Sequence, residues 1–98
     1  MPRQVVFVRR ARRQLNGQLR YLAERNPGAA RRLRGRIAAA QQQLADFPQS
    51  APRASSPGTR RLVVAPYILT YRERGLVVEI LDVRHSRQAE KPIPEEPE

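Results

Sequence analysis

The sequence predicts an α+β fold of order β-α-α-β-β-β, with a helical hairpin packed on one face of a small, mostly antiparallel sheet. Three observations carry this reading. A β-branched run opens the chain, two helical stripes flank Asn26-Pro27, and three strand-like runs divided by turn residues close it.

Residues 4–8, QVVFV, read as a strand because three of the five are β-branched. From Ala11 the period changes. Ala11, Leu15, Leu19 and Leu22 fall on one stripe at 3.6 residues per turn, while Arg12, Arg13 and Arg20 point elsewhere, which predicts a helix over about 11–25. Gly17 lies inside it and costs about 1 kcal/mol relative to Ala. Asn26 is a preferred N-cap and Pro27 a preferred first helical residue, so one helix ends and a second begins there. The second runs to about residue 45, with Ala30, Leu33, Ile37, Ala40 and Leu44 on its apolar stripe. A connection this short makes the two helices antiparallel neighbours. Each stripe is thin, so both need a common sheet to cover them.

Asp46-Phe47-Pro48 stops the second helix, and residues 48–58, PQSAPRASSPG, have loop composition. Strands are predicted over 60–64, 67–72 and 76–84, broken by Ala65-Pro66 and by the turn residues 73–75. The near-continuous apolar run LVVEILDV marks the last as a central strand, covered on both faces.

The 98 residues suit one domain over 1–88, with a Pro/Glu-rich acidic tail over 89–98 that is expected to be disordered. No cysteine is present and His85 is the sole histidine, so a disulfide framework, a thiolate metal centre or a resident cofactor site is not expected. No apolar run approaches the roughly 20 residues of a membrane span, and the N-terminus lacks the order of a secretion signal. The expected compartment is the cytoplasm, with no membrane partner.

Charge is uneven. Eighteen Arg and one Lys oppose nine acids, for a net charge of +10. Residues 1–89 carry +13 and residues 90–98 carry −3. A basic body of this size suits an anionic partner, whether nucleic acid, a nucleoprotein or an acidic peptide; plain solubility is the alternative. An acidic tail could shield such a body as an internal competitor.

Neither a Gly-rich phosphate loop, a serine nucleophile elbow nor a metal-ligand cluster is present. His85, between Arg84 and Arg87, could serve as a general acid/base or could simply pack at the surface. Tyr67, Tyr71 and Arg72, with Arg60 and Arg61 on the neighbouring strand, form a second cluster. Aromatic rings among arginines can stack bases and hold phosphates, yet strand tyrosines are also ordinary core residues. Arg60, Arg61, Tyr71, Arg72, Arg84, His85 and Arg87 are the candidates for partner or target contact.

The layout resembles the RelE/ParE toxin superfamily. The stretch YLAERNPGAARRLRGRI (21–37) looks like the helix–NP–helix hairpin of ParE-type toxins. LADFPQSAPRASSPGTRRLVVAPYILTYR (44–72) resembles their loop and first two meander strands, and GLVVEILDVRHSRQ (75–88) their closing strand. The resemblance implies a type II toxin neutralised by a cognate antitoxin in a hetero-oligomer, but leaves two activities. RelE-type members cut mRNA in the ribosome with a basic, tyrosine-containing set on the sheet. ParE-type members act on DNA gyrase and are not known as nucleases. The RelE-type middle-strand arginine falls on Ile68, its last-strand arginine near Ser86 and its C-terminal tyrosine near Pro92; only Arg61 matches a basic position. Ile and Pro offer no side-chain hydrogen bond to a developing charge, so a nuclease reading is disfavoured, with Arg61 and His85 its weak catalytic candidates. The ParE-type reading, with gyrase as target, is the better fit, and a non-toxic basic nucleic-acid-binding module is the third reading. An antitoxin segment would lay an apolar face on the hairpin or sheet, with Leu15, Leu19 and Leu22 as its candidate apolar contacts; packing of all three into the chain's own core is the stronger alternative.

Overall fold

A computed structural model describes residues 2–88. The acidic tail over 89–98, with Lys91 and Pro92, lies outside the described residues. Strand β1 (Gln4–Phe7) leads into helix α1 (Arg9–Arg25), and α2 (Pro27–Asp46) follows after one residue. Strands β2 (Arg60–Val64), β3 (Tyr67–Arg74) and β4 (Val77–His85) then form a meander that ends in a short 3-10 turn, Ser86–Gln88. The β-α-α-β-β-β order and the α+β class are as the periodicities predict.

The local chemistry at the hairpin is visible. Asn26 Oδ1 accepts the Ala29 N–H at 3.1 Å, and Pro27 opens α2 where a missing N–H costs nothing. Gly75 takes φ +61 at the first position of the two-residue turn between β3 and β4, a backbone region that Cβ-bearing residues avoid.

Sheet order is β1-β4-β3-β2, with β1 parallel to β4 and the other pairs antiparallel. This places β4 centrally, consistent with its nearly continuous apolar run. The register puts Leu62, Leu69 and Val83 in one cross-strand row and Val64, Tyr67 and His85 in the next, on the face that the helices cover. Leu15, Leu19, Leu33, Ile37 and Leu44 descend from the helices onto Leu69, Tyr71, Val78 and Ile80, forming one core. Rows Arg61–Thr70–Asp82 and Val63–Ile68–Arg84 lie on the opposite face.

A bulge interrupts this alternation. Tyr71 pairs with Ile80 but Thr70 pairs with Asp82, so Leu81 is an extra residue in β4. Without it Asp82 would share the core face with Val78 and Ile80. With it, the carboxylate moves to the other side.

Candidate functional site

Beyond Phe7 strand β1 has ended, and the 81–83 stretch of β4 lies open toward α1. Arg10 Nη2 donates to the Leu81 carbonyl at 2.8 Å, and Gln14 Oε1 accepts the Val83 N–H at 2.9 Å. Helix side chains thus take the place of a neighbouring strand. The same two residues reach Asp82: Arg10 Nη1 stands 2.7 Å and Gln14 Nε2 3.1 Å from Oδ1. Arg84 Nε makes an ion contact with Oδ2 at 2.6 Å. Asp82 is only 1% exposed, so its charge is sustained by these partners and not by water.

This anchors one side of a basic sheet face. Arg84 is tied to Asp82, Arg72 to Glu79 Oε1 through Nε at 2.9 Å, and Arg74 approaches Glu79 Oε2 at 3.7 Å. Arg61 is exposed and has no acidic partner among the described residues. Ile68 sits between Val63 and Arg84 in its row, so the centre of the face is apolar where the RelE-type pattern would place a cation. Val63 is 63% exposed. Among the described residues, the arrangement offers a basic rim around an apolar centre, which can hold an anionic or amphipathic partner.

His85 packs edge-on to Tyr67, ring centroids 5.5 Å apart, and its Nδ1 accepts the Arg87 N–H at 3.2 Å. Among the described residues no carboxylate orients the imidazole, which a general base would need. Arg87 is exposed beside it.

Three expectations are corrected. Tyr71 is fully buried and offers no ring to a partner; its hydroxyl donates to the Pro48 carbonyl at 2.8 Å and ties the loop to β3. Burial pushes the phenol up from its ordinary pKa, while the Ala51 backbone and the Arg60 charge draw it down and Glu73 adds to the rise. Leu15 and Leu19 are likewise buried against the sheet, because the thin helical stripe is wholly consumed by the core. Leu22 alone of the three leucines is half-buried. It lines a groove of about 200 Å³ with Ala29, Arg32, Arg36, Pro66 and Tyr67, between the hairpin and the β2–β3 turn. Burial also raises the Tyr67 phenol, whose hydroxyl donates to Gln18 Oε1 at 3.1 Å.

Arg60 lies apart from Arg61, on the loop side of β2, with Nη1 donating to the Ala51 carbonyl at 2.8 Å. Arg10, Gln14 and Asp82 were not singled out by sequence reasoning. The available signal was an aspartate inside an otherwise apolar strand.

Comparison with known proteins gives this geometry its lineage. The sequence profile of the ParE toxin of type II toxin–antitoxin systems matches residues 5–90. The chain belongs to the ParE toxin family. It is 38% identical over 88 residues to toxin Y4kP of Sinorhizobium fredii, covering 88% of this chain and 91% of that protein. It is 31% identical to toxin RelE2 of Caulobacter vibrioides, covering 85% and 94%. Its fold is that of the chromosomal ParDE system of P. aeruginosa, at TM-score 0.73 and 22% identity, over 85% of this chain and 95% of that one. The RelBE2 toxin–antitoxin complex of Mycobacterium tuberculosis aligns at TM-score 0.61 and 26% identity, over 87% and 92%. This ParE-family chain is therefore a type II toxin of the RelE/ParE superfamily. No helix among the described residues is long and apolar enough to cross a membrane.

Proposed function

We propose that this toxin inhibits DNA gyrase in the cytoplasm and is neutralised by an acidic antitoxin bound as a hetero-oligomer. The observation that carries the choice of target is Ile68. It stands on the open sheet face between Val63 and Arg84, where a RelE-type nuclease would carry an arginine. An isoleucine there cannot stabilise charge on a phosphate being cleaved. The family match favours the same branch.

The groove beside Leu22 supports the antitoxin half of the reading. An amphipathic helix could set apolar residues on Leu22 and Pro66 and carboxylates on Arg32 and Arg36. Arg61, Arg72, Arg84 and Arg87 remain for target contact, and His85 has a positioning neighbour in Tyr67 but no acid.

The experiment is gyrase supercoiling with the purified full chain. Inhibition that is relieved by the antitoxin supports the reading. Unimpaired supercoiling, with no growth arrest on expression, sinks it. A second reading, ribosome-dependent mRNA cleavage, draws on the relationship to toxin RelE2 and on exposed Arg61. Toeprinting on translating ribosomes distinguishes it: A-site cleavage lost in Arg61→Ala or His85→Ala would favour the nuclease.

A further inference from the structure

The groove of about 200 Å³ beside Leu22 lies where the described chain ends. Ser86 N–H donates to the Pro66 carbonyl at 2.8 Å, and the His85 ring packs edge-on to Tyr67 with 5.5 Å between centroids. Pro66 and Tyr67 both line the groove. Strand β4 therefore delivers the chain to its rim.

Charge in the groove is one-sided. Arg32 and Arg36 line it, and no acid among the described residues does. Both arginines are exposed, stand one helical turn apart on α2, and have no acidic partner among the described residues. The five acids among the described residues are engaged elsewhere. Glu24 faces Arg25, Asp46 accepts from Gln42, Glu73 meets Arg3, Glu79 meets Arg72, and Asp82 holds Arg10 and Arg84. The acids that remain in the sequence are Glu90, Glu95, Glu96 and Glu98.

We propose that residues 90–98 occupy this groove in the free chain, with Ile93 against Leu22 and Pro66, and with Glu95 and Glu96 against Arg32 and Arg36. Ile93 stands between Pro92 and Pro94, and Pro97 follows. Prolines preset an extended polyproline II path, so less conformational freedom is lost on docking than for an ordinary segment. At about 3.1 Å per residue the five steps from Gln88 to Ile93 span roughly 15 Å, enough to enter a groove whose wall Ser86 already touches. Glu95 and Glu96 follow within roughly 10 Å, which covers the rise of about 6 Å between the two arginines. The tether holds the segment at an effective concentration on the order of millimolar, so weak contacts suffice. The open sheet face is the poorer site, because Arg72 and Arg84 already face Glu79 and Asp82 there. Docking is independent of the toxin's target; only its consequence, that an antitoxin using the groove displaces the tail, rests on the antitoxin reading.

The test is paramagnetic NMR on the full chain. No native cysteine is present, so Pro97→Cys carries a single nitroxide label and keeps all four glutamates. At low ionic strength, broadening should be strongest at the amides of Leu22, Ala29, Arg32 and Arg36, and weaker at Val63 and Ile68. Proximity alone gives part of that pattern, so charge decides. Glu95→Gln/Glu96→Gln in the labelled chain should cut the groove broadening at least twofold, and so should Arg32→Gln/Arg36→Gln or high salt. Arg34→Gln, at an exposed residue that does not line the groove, should change nothing. Broadening that ignores Glu95→Gln/Glu96→Gln, or that is strongest around Val63 and Ile68, overturns the proposal.

Discussion

Arg10 Nη1 lies 2.7 Å from Asp82 Oδ1, joining the first turn of α1 to the C-terminal half of β4 across 72 positions of sequence. Arg84 approaches the other carboxylate oxygen, so one buried acid holds two arginines. Removing it takes the carboxylate away from two partly buried cations, which costs about 3–5 kcal/mol. Asp82→Ala should lower the urea midpoint accordingly with an unchanged slope. A loss under about 1 kcal/mol would show that water replaces the carboxylate without penalty.

Two glycines should respond oppositely to the same substitution. Gly17 lies mid-helix on the solvent side of α1, with nothing within 4 Å of an added Cβ. Gly17→Ala should stabilise the protein by about 0.5–1 kcal/mol. Gly75 has equally open surroundings, but its φ of +61 strains any Cβ-bearing residue. Gly75→Ala should cost about 1–2 kcal/mol, and thermal unfolding of the pair checks the sign of each.

This contrast also separates what could be read from sequence from what could not. Asn26-Pro27 and Gly75 are local signals: a cap, a first-turn proline and a left-handed turn act within three or four residues of themselves. The helical stripes and the central strand were equally plain, since period alone marks them. The face of Asp82 was not. It depends on the bulge at Leu81, which carries no compositional mark, and on an arginine 72 residues away. Tyr71 illustrates the same limit, because a strand tyrosine among arginines reads alike whether its ring is buried or offered to a base. Only the Pro48 carbonyl, brought over by the loop, decides it.

Alkaline pH should unfold the chain through its tyrosines. Burial raises the Tyr67 and Tyr71 phenols above 10, so the folded state favours the neutral form. Stability from this source is complete below the unfolded value near 10 and is lost as pH climbs through the raised folded values. Phenolate absorbance followed beside circular dichroism should show these two residues ionising together with loss of structure. Tyr67→Phe and Tyr71→Phe assign the steps. Ionisation of both near 10 with the fold intact would refute the effect.

Antitoxin binding should depend on charge at the Leu22 groove and not on the core leucines. Arg32 and Arg36 are exposed on α2, so reversing both should leave the fold unchanged. It should nevertheless remove two attractive contacts with an acidic segment and add two repulsive ones. Affinity should fall at least tenfold, about 1.4 kcal/mol, and the dependence of binding on salt should flatten. Leu22→Asp should weaken binding by a different route, through lost apolar contact, and leave the salt dependence in place. Calorimetry of the variant chains against the antitoxin, at low and physiological salt, measures both quantities. If Arg32→Glu/Arg36→Glu binds as the parent does while Arg61→Glu does not, the antitoxin occupies the open sheet face instead, across the row that holds Val63, Ile68 and Arg84.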